Sequence, residues 1–329
     1  MVSTAIKLTT TSTNYKYYPG FGIIYGDENH LLSESVLVRD KMERPIGKSI
    51  RFVSPTKKVF LTAYSGMFHF WYDSAGPLLS FIKDHPGIEV IVDTSVVQDQ
   101  LDGSFFNFFL KMLTDNNVKY QTIRFEEYDS IVANNFYTHE SIDRIYDPAN
   151  TVYEYAERYL DKSVVPFRTV YLSRKEIGDR SFDGESRAPG LSFDHDNRID
   201  DERELENYLS SLGVEIVVPE DFASFEDQIK YFNEVKTVIS LTSSGLTNAI
   251  FMQPGCNVIE FVTPLIASLH LIEGTDMTHG EEALHNLYNM ISFFKGHTYA
   301  SIPNKDRRVS TLIDKIESSQ IISRIANHD

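Results

Sequence analysis

The segment VISLTSSGLTNAIFMQPGCNVIEF (238–261) passes from an apolar strand into a short helix, 245–252, through four small residues, Thr242, Ser243, Ser244 and Gly245. Backbone N–H groups at a helix start have no partner inside the helix, and the helix dipole leaves them mildly positive. Small side chains let an anion approach those amides, and the serine and threonine hydroxyls add donors. The chemistry this suits is the holding of a phosphate or diphosphate. No Gly-Lys-Ser/Thr follows, so the segment is not a P-loop, and the G-x-G-x-x-G spacing of a dinucleotide fingerprint is absent. The same residues would also make a plain strand-to-helix turn capped by serine.

Two further groups of residues carry chemical potential. TVYLSRK (169–175) puts Arg174 and Lys175 just beyond the carboxyl end of a strand, and Arg180 and Arg198 fall in or beside the loop that follows. A guanidinium matches phosphate oxygens in pairs and stays charged. Several cations near one strand end of an acidic chain point to an anionic ligand; the alternative is a set of solvated loop charges. In GMFHFWYDSAGPL (66–78), His69 and Asp73 stand four residues apart at the opening of a helix, a spacing that shares one helical face. They would serve as a base and its orienting partner, or as a core histidine beside a helix-start aspartate. Metal and serine-nucleophile chemistry find less to use. There is no H-E-x-x-H and no G-x-S-x-G. His270, His279, His285 and His297 lack ligand spacing, and the DHD at 194–196 reads as solvated loop. The single cysteine, Cys256, rules out an internal disulfide and a Cys-rich zinc site.

The elements that must position these groups alternate between strand and helix. Strands are predicted at 58–64, 88–93 and 119–125, with helices at 70–83 and 101–114 between them; Trp71, Leu78, Leu79 and Ile82 are core candidates. Short strands and loops are the reading for 1–57. A polar stretch, 145–167, then separates the halves. In the second half, strands fall at 169–172, 214–219, 237–241 and 257–262. The intervening helices are 201–212, closed by Gly213, and one opened by Ser224 with Asp227 three residues on. A last amphipathic helix covers 309–325. Near-continuous apolar strands alternating with helices predict parallel sheets covered on both faces. Ligands of such sheets sit outside the carboxyl ends of the strands, where the turn at 242–245 and Arg174 both fall.

Composition bounds the rest. The chain has 329 residues, 42% apolar and 24% charged, enough for two domains that need no covalent staple. A net charge of −16 disfavours nucleic acid and anionic lipid as partners. No run approaches the length of a membrane span, and the first twenty residues lack an apolar core of signal length, so a soluble, cytoplasmic protein is expected.

Taken in order, YLSRK (171–175), RIDDERELENYLSSLGVEIVVPE (198–220), SFEDQIKYF (224–232), SSGLTNAIFMQPG (243–255) and NVIEF (257–261) resemble glycosyltransferase family 61 across about 90 residues. That family includes protein O-GlcNAc transferases of the EGF-domain type and plant xylan xylosyl- and arabinosyltransferases. HFWYD (69–73) is similar to its H-W-x-x-D segment. The resemblance implies a GT-B architecture of two Rossmann-like α/β/α domains facing a cleft. These would be an acceptor-side domain over 1–150 and a nucleotide-sugar domain over 151–308, with 309–329 a C-terminal helix able to pack back on the first. It implies an inverting transfer of GlcNAc, xylose or a similar sugar from a nucleotide sugar, UDP-linked, to a hydroxyl of a glycan or protein-linked glycan. Arg174, Lys175, Arg180, Arg198, Ser243, Ser244, Gly245, Leu246, Thr247, Asn248 and Glu260 would bind the donor, Glu260 through ribose or sugar hydroxyls. His69 or Asp73 would be the base, with no cofactor and no metal needed. Where relatives carry His-Gly-Ala this chain has Thr242-Ser243-Ser244, and their Asn-Glu pair is Asp201-Glu202. Eukaryotic relatives usually carry a signal or anchor, so a bacterial, phage or viral member fits better. A non-catalytic nucleotide- or glycan-binding protein of the same fold, or another GT-B enzyme such as an epimerase, are the alternatives.

Overall fold

The computed structural model describes residues 15–18, 23–25, 49–52, 58–61, 67–84, 86–87, 89–93, 105–123, 130–133, 136–137, 147–173, 199–262, 288–304 and 308–322, with side chains left out at some of them, His69 and Asp73 included. The chain divides into two compact units, Met1–Tyr155 and Ala156–Asp329.

The first unit holds two four-stranded sheets. One contains β1 (Tyr15–Tyr18), β2 (Ile23–Tyr25), β3 (Ser49–Phe52) and β7 (Ser130–Ala133), in the order β2-β1-β7-β3. Its β1 pairs antiparallel with β2 and β7, whereas β3 and β7 run parallel. The other contains β4 (Lys58–Leu61), β5 (Glu89–Asp93), β6 (Lys119–Ile123) and β8 (Phe136–Tyr137), in the order β6-β5-β4-β8 with every pair parallel. Between β4 and β5 the chain forms a π-helix, His69–Ala75, that runs directly into α1 (Gly76–Asp84). Phe70, Trp71 and Tyr72 are successive buried residues, and a regular α-helix does not turn three in a row to one side. The wider π coil brings Phe70 and Trp71 against α2 (Phe105–Asp115), where the Phe70 ring meets Phe109 edge-on at 5.2 Å, while Tyr72 stacks on Phe68. Gly76 marks where backbone meets backbone: a Cβ there would lie 2.9 Å from the carbonyl oxygen of Pro148, the first residue of α3 (Pro148–Ala156).

The second unit is built on one five-stranded sheet. Its strands are β9 (Arg168–Leu172), β10 (Glu215–Val217), β11 (Val235–Leu241), β12 (Asn257–Val262) and β13 (Thr298–Pro303), in the order β10-β9-β11-β12-β13. All four pairings are parallel. The burial pattern explains this: β11 and β12 are buried on both faces, as a sheet covered by helices on each side requires. One face, with Tyr171, Ile239, Ile259 and Ile302, packs with Leu205 and Leu209 of α4 (Glu202–Ser211) and with Leu312 and Ile316 of α7 (Val309–Ser319). The C-terminal helix thus spends its buried residues inside the second unit's own core. The other face carries α5 (Phe225–Asn233) and a 3-10 helix, Ser244–Phe251, that touch through Phe225 and Phe251, ring centroids 5.5 Å apart. Helix α6 (288–295) precedes β13.

Local signals act where the sequence places them. Asp201 caps α4 by accepting from the Glu204 N–H at 3.0 Å, and Gly213 takes φ +82° just past that helix. Ser224 accepts from the Asp227 N–H at 3.1 Å. The shorter Asp227 carboxylate accepts the Ser224 hydroxyl proton at 2.7 Å instead of reaching back to the cap amide as a glutamate would.

Candidate functional site

In chain order the second sheet reads second, first, third, fourth, fifth strand, so its direction of winding reverses between β9 and β11. The crevice outside the carboxyl ends of those two strands is where a parallel α/β sheet receives a ligand. Tyr171 pairs with Ile239, which sets the end of β9 level with the end of β11. The turn Thr242–Gly245 folds over this point. A Cβ on Gly245 would come 3.3 Å from Leu172 Cδ1 and 3.3 Å from Ser243 Oγ, so the absence of a side chain lets the turn close onto β9.

Each residue of the turn is held differently. Thr242 extends the ladder by one bond, its N–H donating to the Phe261 carbonyl at 3.0 Å. Ser243 is extended, at φ −159° and ψ 155°, and its hydroxyl lies 3.2 Å from that of Ser240. It makes no side-chain cap bond. The Leu246 N–H is the first to close a helical turn, onto the Ser243 carbonyl at 3.1 Å. Among the described residues the amides of Ser244 and Gly245 therefore have no acceptor, as expected of the first turn of an uncapped helix. Ser244 is exposed and Gly245 half-buried. Leu246, Thr247 and Asn248 lie beneath them with no exposed surface. Asn248 is the brace: its Nδ2 donates to the Gly245 carbonyl at 2.9 Å while Oδ1 accepts from Gln228 of α5 at 2.8 Å. The Thr247 hydroxyl is buried without a partner among the described residues.

Glu260, on β12 beside the turn, is 1% exposed. Its Oε1 accepts from the Thr242 hydroxyl at 2.6 Å and its Oε2 from the Tyr299 hydroxyl at 2.6 Å. Sequence reasoning did not single out Tyr299; only the pairing of β12 with β13 brings it to the carboxylate. Just past β9, Ser173 is fixed by its N–H to the Val217 carbonyl at 2.8 Å and by its hydroxyl to Glu206 at 2.5 Å. Arg174, Lys175, Arg180 and Arg198 lie outside the described residues. Glu202, beside the cap Asp201, accepts from the Tyr171 hydroxyl at 2.9 Å. His69 and Asp73 fall on the π-helix of the first unit. A one-turn π segment is frequent at functional positions.

His297 belongs to the other end of the sheet. Its Nδ1 accepts from the Cys256 N–H at 3.2 Å, which leaves the proton on Nε2, 3.0 Å from the Ala249 carbonyl. Burial lowers its pKa to about 4, so the ring stays neutral. Burial likewise pushes the Cys256 thiol up to about 11. Among the described residues no three His, Cys, Asp or Glu side chains group as metal ligands, and no helix is long and apolar enough to cross a membrane.

The family model described as Glycosyltransferase 61 matches residues 67–259, more than half of the chain and inclusive of the π-helix, the switch-point turn and the first half of β12. This chain belongs to glycosyltransferase family 61 and is a glycosyltransferase. No curated protein matches it.

Proposed function

We propose that this glycosyltransferase is a GT-B enzyme that takes its sugar from a nucleotide sugar, UDP-linked, and holds the donor diphosphate at the Ser243–Gly245 turn. Reaction proceeds with inversion. The acceptor hydroxyl oxygen attacks the anomeric carbon from one side as the bond to the diphosphate oxygen breaks on the other, and the nucleoside diphosphate leaves with the electron pair. The acceptor proton passes to a base, assigned to His69 or Asp73 of the first unit. The charge that grows on the leaving diphosphate is met by the amides of Ser244 and Gly245 and by Arg174, Lys175, Arg180 and Arg198, which makes a divalent metal unnecessary. The acceptor is a hydroxyl of a glycan or protein-linked glycan, and the sugar is GlcNAc, xylose or a similar one.

The observation that carries this reading is the pair of uncapped amides, on an exposed and a half-buried residue, at the switch point of a parallel sheet. A serine that merely capped the helix would have filled one of them. A thermal-shift panel of UDP- and GDP-sugars tests the proposal, because a ligand that binds only the folded state raises its melting temperature. A UDP-sugar is expected to raise it and to be hydrolysed slowly without acceptor; a panel in which no nucleotide sugar shifts the melting point contradicts the reading. Arg174→Ala is expected to weaken UDP binding by roughly 1.5–3 kcal/mol, the scale of a charge-assisted hydrogen bond. His69→Ala is expected to lower turnover with UDP affinity little changed; full transfer activity in that variant moves the base elsewhere.

A further inference from the structure

A carboxylate at 1% exposure is costly unless donors replace its water, and a valine or isoleucine would fill the same place on a strand at no such cost. Glu260 therefore needs a reason. Both of its oxygens are engaged, by Thr242 and by Tyr299, within the chain itself. The parallel register sets Ser240 of β11 and Ser301 of β13 directly opposite Glu260, and side chains level with one another in parallel strands share a face. A polar band thus crosses three strands of the sheet, flanked on β11 and β12 by Ile239, Leu241, Ile259 and Phe261. It ends at the turn twice: Glu260 reaches Thr242, and Ser240 reaches Ser243.

We infer that Glu260 is a positioning residue, whose carboxylate, anchored on Tyr299, locks Thr242 and so fixes the direction in which the Ser243–Gly245 turn presents its amides to the donor diphosphate. This rests on the donor reading of the turn given above and adds Thr242 and Tyr299 to the residues that set donor affinity. Thr242 is the hinge of the arrangement. Its backbone N–H is tied to Phe261 and its side chain to Glu260, and the next residues leave the sheet. Burial, together with the charge and hydrogen bond of Glu260, holds the Tyr299 phenol well above its ordinary pKa, so it remains a donor across the working range.

The test separates positioning from packing by reading affinity and melting temperature on the same variants, with UDP, GDP and inorganic pyrophosphate as probes. Thr242→Val keeps the shape and removes the hydroxyl; it is expected to weaken binding of the probe that wild type binds best at least tenfold, and Thr242→Ser to recover most of it. Tyr299→Phe is expected to act in the same direction, and its effect to shrink when Thr242 is already valine. The decisive variant replaces the whole network, Thr242→Val with Glu260→Met and Tyr299→Phe. Removing the carboxylate together with the Thr242 and Tyr299 hydroxyls leaves neither of those donors facing a lost acceptor, so the melting temperature recovers towards wild type while affinity stays low. Wild-type affinity in Thr242→Val, or recovery of both affinity and melting temperature in the triple variant, overturns the positioning role. Should the triple variant fail to fold, the single variants and the serine rescue decide alone. If wild type binds none of the three probes, the donor reading fails and this role with it; wild-type binding that Thr242→Val leaves unchanged defeats the positioning role only.

Discussion

The two ends of the second sheet are built from similar residue types and treat them in opposite ways. At the amino end, Arg168 opens β9 with Nε 2.8 Å from Glu234 and Nη1 3.0 Å from Glu215, and its guanidinium lies over the rings of Phe167 and Tyr231 at 4.9 and 4.8 Å. His297, just before β13, has both ring nitrogens engaged, and the neighbouring Cys256 is buried. At the carboxyl end, the amides of Ser244 and Gly245 stand open above a buried carboxylate that fixes only the base of their turn. Partners satisfied within the chain stabilise the fold and leave nothing for a ligand. Donors left open contribute nothing to stability and are available to an anion. Substitutions at the two ends should therefore separate folding from binding.

The largest effect is expected at the open end. Ser244→Asp puts a carboxylate in the first turn of the 3-10 helix, where a negative charge suits the helix but repels a diphosphate. UDP affinity measured by calorimetry should fall about a hundredfold, close to 3 kcal/mol, while the melting temperature stays level or rises. Next comes the closed end in acid. The folded pKa of His297, about 4, lies below its unfolded value of 6.5, so the unfolded chain binds the proton first. Its contribution is full above pH 6.5 and is lost as pH falls towards 4, amounting to about 2 kcal/mol of destabilisation at pH 5. Urea titrations should show that slope in wild type and its absence in His297→Gln, with UDP affinity at pH 7.5 unchanged in both.

Arg168→Ala should cost about 1–1.5 kcal/mol in the same urea titrations, the scale of a part-exposed ion pair with ring contacts, and again leave UDP binding alone. Loss of binding in that variant would mean the two ends are coupled. The smallest effect is at Cys256: with its thiol held near 11 and buried, it should resist a thiol reagent at pH 8 in the native protein and react once the protein is denatured.

The second sheet was legible in the sequence wherever a local cause acts. Runs such as TVISL and NVIEFV announce buried strands, Gly213 the end of α4, and Ser224 the start of α5. The turn itself was legible because its small residues are contiguous. Strand order was not, since it depends on which distant strands pair, and neither was the meaning of Glu260. As a letter at the end of VIE it suits a ribose ligand or a cap; the register that lifts Tyr299 to it belongs to the folded sheet alone. Asn248 likewise reads as part of a binding motif, while its side chain is spent on Gly245 and Gln228. The segment 69–75 carries an aromatic pattern read as the edge of an ordinary helix, and the wider π coil follows only from the need to bury Phe70, Trp71 and Tyr72 in succession.

The central claim is that the turn over the switch point grips a diphosphate through its backbone. Amide resonances of Ser244 and Gly245, followed in an isotope-labelled protein during a titration with UDP, address it directly. They should move together and saturate with the calorimetric affinity, while those of Gly255 and Gly296 at the opposite end of the sheet hold still. UDP binding that leaves Ser244 and Gly245 in place would contradict the account.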